Sequence, residues 1–103
     1  MRNEKTYSHV EKTVIRCISA LTGKVIDKSD IYSGKTKCPA CISMVRGLVF
    51  LFLHDHYGIT YKSIARRAGM KENSVIHVVV KVRNLRFTDK LYQLAYEKTE
   101  KSL

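Results

Sequence analysis

The chain has 103 residues, with nineteen Lys and Arg against nine Asp and Glu and a formal net charge of +10. That length suits one domain with a modest core, and self-repulsion of this size is best tolerated when the partner is a polyanion such as DNA or RNA, or an acidic membrane. Three cysteines is an odd count, which argues against a disulfide framework, and the opening MRNEKTYSHV has no apolar core of a signal peptide, so a reduced cytoplasmic setting is expected.

Met1 to Lys5 is polar and is expected to fray. From Tyr7 to Thr22, apolar residues at Val10, Val14, Cys17, Ile18 and Leu21 fall at helical spacing, and Gly23 is the expected stop. Cys17 on that stripe reads as a small core residue. Lys24 to Lys37 is polar and turn-rich. Within it Asp27 is a candidate cap for a short helix through Ile31 and Tyr32, and Gly34 to Lys37 forms a basic loop that either touches phosphates or is a solvated turn.

Pro39 suits a first helical turn. Ile42, Val45, Val49 and Phe52 then repeat at helical spacing, while Leu48, Phe50, Leu51 and Leu53 make the middle apolar all round. Such a helix must be buried on most sides and is expected to be the central one. Its longest apolar run, Leu48 to Leu53, is too short to span a bilayer, and no membrane partner is expected. The end falls at His54 to Tyr57, with Gly58 as the stop.

The next stretch organises the rest. Between Thr60 and Leu85 the spacing predicts a helix-turn-helix. Thr60 is a suitable N-cap, with Ile59 and Ile64 placed as a hydrophobic staple. Ala65 supplies a small side chain where the two helices meet, and Gly69 supplies the turn. Ile64, Ala68, Met70, Val75 and Val78 form the apolar wedge. Val75 to Val82 is rich in β-branched residues and also reads as an alternating strand. A helix is expected because the turn upstream requires one; it buries Val75, Val78, Val79 and Val82 and leaves Asn73, His77, Lys81 and Asn84 outside. Finally, Thr88 is expected to cap a last helix, with Phe87 stapled onto Tyr92. Leu91, Leu94 and Ala95 are expected to face inward, flanked by Tyr92 and Tyr96, ahead of a polar tail. The fold class that results is all-α: a single domain of about five or six helices around a central apolar helix.

Cys38-Pro39-Ala40-Cys41 with His54 reproduces C-x2-C-x12-H, a zinc-finger spacing. The next histidine, His56, is two positions on with one residue between, where a finger needs about three to five between. The intervening residues are also the most apolar in the chain. Two reduced cysteines at a helix start are therefore expected, with no metal and no other cofactor. There is no phosphate-binding glycine loop, nucleophile elbow or paired carboxylate in an apolar context, and no catalytic residue is expected.

In a DNA-binding helix-turn-helix the second helix enters the major groove with its N-terminal residues at the base edges. Lys71, Glu72, Asn73 and Ser74 hold that position here. Lys71 suits guanine or phosphate, Asn73 adenine, and Glu72 the cytosine amino group. Ile76 and His77 follow one turn later; Ile76 either meets a thymine methyl or packs on the preceding helix. Tyr61, Lys62 and Ser63 open the first helix, whose amides suit a phosphate. Arg66, Arg67, Lys81, Arg83 and Arg86 are candidate phosphate contacts or solvated charges. The expected partner is double-stranded DNA. A homodimer is possible, although only the tyrosines near the C-terminus suggest a face for one. The alternative readings are a helical protein-interaction module and a non-specific nucleic-acid-binding protein.

From about Val25 to Leu85 the chain resembles the C-terminal DNA-binding domain of the bacterial replication initiator DnaA. The order of helix, short capped helix, basic loop, long helix and helix-turn-helix is similar. SIARRAGMKENSVIHVVVKV resembles that family's I-G, G-G-R-D-H-T-T-V and following H, with one residue fewer in the turn. Ile64, Ala65, Gly69, Lys71, Glu72, Asn73, Ser74, Val75 and His77 take those places. The resemblance implies base and phosphate contact by Lys71 to Ser74. It also implies a minor-groove role for Arg46, which falls where the family has such an arginine. The R-D-H-T-T core is absent, so the family's DNA preference does not carry over, and Cys38 and Cys41 stand in the loop instead of arginines. With no ATPase domain in the sequence, a stand-alone regulator or origin-binding accessory is expected.

Overall fold

The computed structural model describes residues 2–27, 31–32 and 39–103. It contains α1 (Arg2–Thr22), α2 (Pro39–Asp55), α3 (Tyr61–Ala68), α4 (Glu72–Thr88) and α5 (Lys90–Ser102), and no strand among the described residues. No helix of the described residues is long and apolar enough to cross a membrane. The Gly34 to Lys37 loop and Cys38 lie outside the described residues, as does most of the short helix expected after Asp27.

α2 is the axis of the molecule. Its 17 residues make a rod of about 25 Å at 1.5 Å per residue, against a shortest molecular dimension of 24 Å. Val45 and every residue from Leu48 to Leu53 are at most 1% exposed, as the all-round apolar sequence requires. α1 and α4 pack along it, α3 sits against its end, and α5 closes the far side against α1 and α4. α2 meets α4 tightly at Gly47, where a Cβ would lie only 2.2 Å from Val82 Cγ2.

α1 buries Tyr7, Val10, Val14, Cys17 and Ile18, the stripe its spacing specifies. It begins at Arg2 rather than after Lys5. Glu4 in the first turn suits the positive end of the helix dipole and bonds to Arg67. These contacts hold a turn that sequence alone suggested would fray. Gly23 and Gly58 stand at φ +71° and +66° and end α1 and α2 where expected.

The start of α3 follows its local signals. Thr60 Oγ1 accepts from the Ser63 amide at 3.2 Å, and the staple residues Ile59 and Ile64 are both buried. At the other end Gly69 adopts φ +69°, ψ +31° and its amide bonds to the Ala65 carbonyl, which also accepts from the Met70 amide at 3.0 Å. This is a Schellman-type end, and it needs the left-handed conformation that glycine reaches without strain.

α4 resolves the helix–strand ambiguity in favour of helix. Val75, Val79 and Val82 are buried, Val78 packs against the core, and Asn73, His77, Lys81 and Asn84 are exposed. Each fully buried valine contributes roughly 1.5 kcal/mol or more by burial, which outweighs the slight helix penalty of β-branching.

The last corner differs from expectation. Thr88 ends α4, and Asp89 is the N-cap of α5, its carboxylate accepting from Leu91 N at 2.9 Å and Tyr92 N at 3.3 Å. Phe87 is 73% exposed and does not staple onto Tyr92. The inward stripe of α5 is Ala95, Tyr96 and Thr99, with Tyr92 packed against the core and Leu91 and Leu94 left exposed. Tyr96 stacks on Phe52 of α2 with ring centroids 4.8 Å apart, which fixes that rotation.

Candidate nucleic-acid interface

The turn between α3 and α4 spans only residues 69–71. Lys71 is the N-cap of α4 with extended backbone (φ −75°, ψ +147°) and makes no side-chain cap bond. Its carbonyl accepts from Ser74 N and Val75 N, so the preceding amides at the helix start have no intrahelical acceptor. Lys71, Glu72 and Asn73 are exposed, and Ser74 is half-buried. Farther along, Asn73, His77 and Lys81 recur at four-residue intervals and are all exposed, forming one open row about 12 Å long. Ile76 is half-buried, between its two expected placements.

On α3, Lys62 and Arg66 share one face and are exposed. Tyr61 and Ser63 are half-buried. The Tyr61 ring stacks on His54 at 3.9 Å, and the Thr60 hydroxyl donates to the Ser63 hydroxyl at 3.0 Å. Both therefore also serve the corner itself.

From Thr60 to Thr88 the sequence carries seven Lys or Arg and a single acid, Glu72. The structure divides these cations into two groups. Lys62, Arg66, Lys71 and Lys81 are exposed with no ion pair among the described residues. Arg67, Arg83 and Arg86 are engaged within the chain. Arg83 bonds Asp55 at 2.8 Å, and Arg86 lies over the Tyr96 ring at 3.9 Å.

Arg67, a candidate phosphate contact or solvated charge in the sequence, is bonded within the chain. Its guanidinium grips Glu11 with two bonds, Nε to Oε2 at 3.0 Å and Nη2 to Oε1 at 3.1 Å, and reaches Glu4 at 2.8 Å. It also lies over the Tyr7 ring at 4.6 Å. Glu11 is fully buried and receives the Tyr32 hydroxyl as well. Hydrogen bonding to Glu11 raises the Arg67 pKa; burial, then the bond to Glu11, raises that of Tyr32. Arg46 is likewise engaged: it is half-buried and its Nε donates to the Ile31 carbonyl at 2.7 Å. The arginine to which resemblance gives a minor-groove role thus holds the 31–32 segment in this fold. Sequence reasoning passed over Glu11 as a site residue; the available signal was an acid seven residues after Glu4 on the flank of the apolar stripe.

Cys41 and His54 lie on the same unbroken helix, thirteen residues apart, which is about 20 Å of axial rise. One metal ion cannot bridge them. His54 Nδ1 instead donates to the Ile59 carbonyl at 2.9 Å. Among the described residues no group of three or more His, Cys, Asp or Glu side chains could hold a metal.

No family model, no curated protein and no solved structure matches this chain.

Proposed function

We propose that this protein binds double-stranded DNA through α3 and α4, with the leading end of α4 in the major groove. In this reading it is a stand-alone regulator or origin-binding accessory of the kind its resemblance to the DnaA C-terminal domain implies. One observation carries the reading. The uncapped start of α4 presents Lys71, Glu72 and Asn73 to solvent, with Asn73 in line with His77 and Lys81, while the opposite face is locked by buried Val75, Val79 and Val82. Lys62, Arg66 and Lys81 supply phosphate contacts that set register, and the side chains from Lys71 to Ser74, with His77, read bases.

The test is selection of bound duplexes from a random pool, followed by titration of the winner across salt concentrations. An enriched sequence with a steep salt slope supports the reading. Absence of binding at low salt removes it, and steep but sequence-blind binding leaves only a coating role.

A protein-interaction module is favoured by a different observation: Phe87, Leu91 and Leu94 are 73%, 39% and 44% exposed around the α4–α5 corner. A protein that ignores duplex DNA at low salt yet self-associates, with Phe87→Ser abolishing the association, fits that reading instead.

A further inference from the structure

Among the described residues outside α3 and α4, a row of exposed basic side chains lies on α1. Lys5, His9, Lys12 and Arg16 follow one another at steps of four, three and four residues, and all are exposed. That spacing places them on one row, about 16 Å long. The opposite face is the buried stripe of Val10, Val14 and Cys17. The two acids of α1 are turned away from the row: Glu11 is buried, and both Glu4 and Glu11 bond Arg67. Lys5, Lys12 and Arg16 have no ion-pair partner among the described residues.

The stability of α1 does not account for this arrangement. Lys12 and Arg16, like charges four residues apart, repel, and Lys5 near the helix start opposes the dipole. A local conflict left uncompensated within the fold marks a surface kept for a partner.

We infer that this row is a second phosphate-binding surface, which takes the backbone of a DNA duplex without reading its sequence. Phosphates of one strand advance about 3.4 Å along the duplex axis, so the row spans about five of them. A membrane is disfavoured because helices that lie on bilayers insert an apolar face. The apolar face of α1 is already in the core, and none of the exposed large apolar residues lies on α1.

The test uses the full chain with Lys5, Lys12 and Arg16 all changed to Gln, with Lys12→Gln alone as a second variant. A random-sequence duplex is titrated across salt. Each phosphate that the protein no longer neutralises lowers the slope of log K against log salt by about 0.9. The triple variant is expected to lose about 2–3 in slope and at least about tenfold in affinity at low salt, and Lys12→Gln about a third of the slope change. Any sequence preference should persist in both. Unchanged slope and affinity in the triple variant overturn the inference, as does wild-type binding to phosphatidylserine vesicles in preference to the duplex. A wild type with no sequence preference, whose binding still weakens in the triple variant, sinks the reading of α4 and leaves this one standing.

Discussion

Arg67 and Glu11, 56 residues apart in the chain, are joined by two hydrogen bonds, and the carboxylate is fully buried. This pair ties α3 to α1 and so fixes the end of the helix that precedes the turn. Removing the cation strands a carboxylate in the interior. Arg67→Ala is expected to cost roughly 3–5 kcal/mol. Glu11→Ala should cost less, because the Arg67 side chain remains 19% exposed and keeps Glu4. Glu11→Leu combined with Arg67→Met and Tyr32→Phe should return most of the loss, since an apolar set avoids desolvating two charges and leaves no hydroxyl without its acceptor. Urea denaturation measures all three, and a loss below about 1 kcal/mol for Arg67→Ala would place the pair with ordinary surface bridges.

Alkaline pH should loosen the same region. Tyr7, Tyr32, Tyr92 and Tyr96 all have pKa values raised above the usual 10.0, with burial the largest cause in each. The folded state therefore holds these protons after the unfolded chain has released them. Their contribution is complete below pH about 10 and is lost as pH rises through the folded pKa values, at up to about 1.4 kcal/mol per pH unit per group. Tyr32→Phe should flatten the fall of the urea midpoint above pH about 10. Lysine titration is common to both proteins and cancels in the comparison.

Gly47 faces Val82 across the α2–α4 contact, and a Cβ there would meet Val82 Cγ2 at 2.2 Å. Alanine gains up to about 1 kcal/mol in helix propensity, but overpacking at a helix–helix contact costs about 1–3 kcal/mol. Gly47→Ala is expected to be net destabilising in thermal or urea unfolding. Val82→Ala opens the space, so the double variant should lose less than the two single losses added together. Strict additivity would mean that the helices shift apart instead.

How much of this was legible in the sequence follows from how local each signal is. The cap at Thr60, the turn at Gly69, the buried face of α4 and the all-round burial of α2 each rest on residues within a few positions of one another, and all were readable. The Arg67–Glu11 clamp joins two distant helices, and nothing near Arg67 distinguishes it from exposed Arg66. The partner of Arg46 was likewise not legible, because its acceptor is a backbone carbonyl, Ile31, which carries no side-chain signal. On α5 the leucines outranked Tyr96 and Thr99 by hydrophobicity, yet the stack of Tyr96 on Phe52 rotates the helix to bury the less apolar pair.

The corner between α4 and α5 separates two neighbouring candidates for the cap. Asp89 accepts from two α5 amides, whereas the Thr88 hydroxyl reaches only the Asn84 carbonyl, at 3.4 Å. Asp89→Ala is expected to cost about 0.5–2 kcal/mol. Thr88→Ala, which removes a weak bond on an exposed site, should stay within about 0.5 kcal/mol. Equal losses in urea denaturation would return the cap to Thr88.

The division of cations around α3 and α4 yields a prediction about DNA itself. Asn73 is exposed in the first turn of α4, where a side-chain amide can pair bidentately with adenine. Asn73→Ala should lose about 1–3 kcal/mol on a selected duplex and nothing on a scrambled one. Lys62→Gln and Arg66→Gln should weaken both duplexes alike, and each should lower the salt slope by about 0.9, the share of one neutralised phosphate. Arg67→Ala, compared at a temperature where it remains folded, should leave that slope unchanged because its guanidinium already holds Glu11 and Glu4. A slope that falls in Arg67→Ala as it does in Arg66→Gln would mean that the clamp opens on binding and hands its charge to a phosphate.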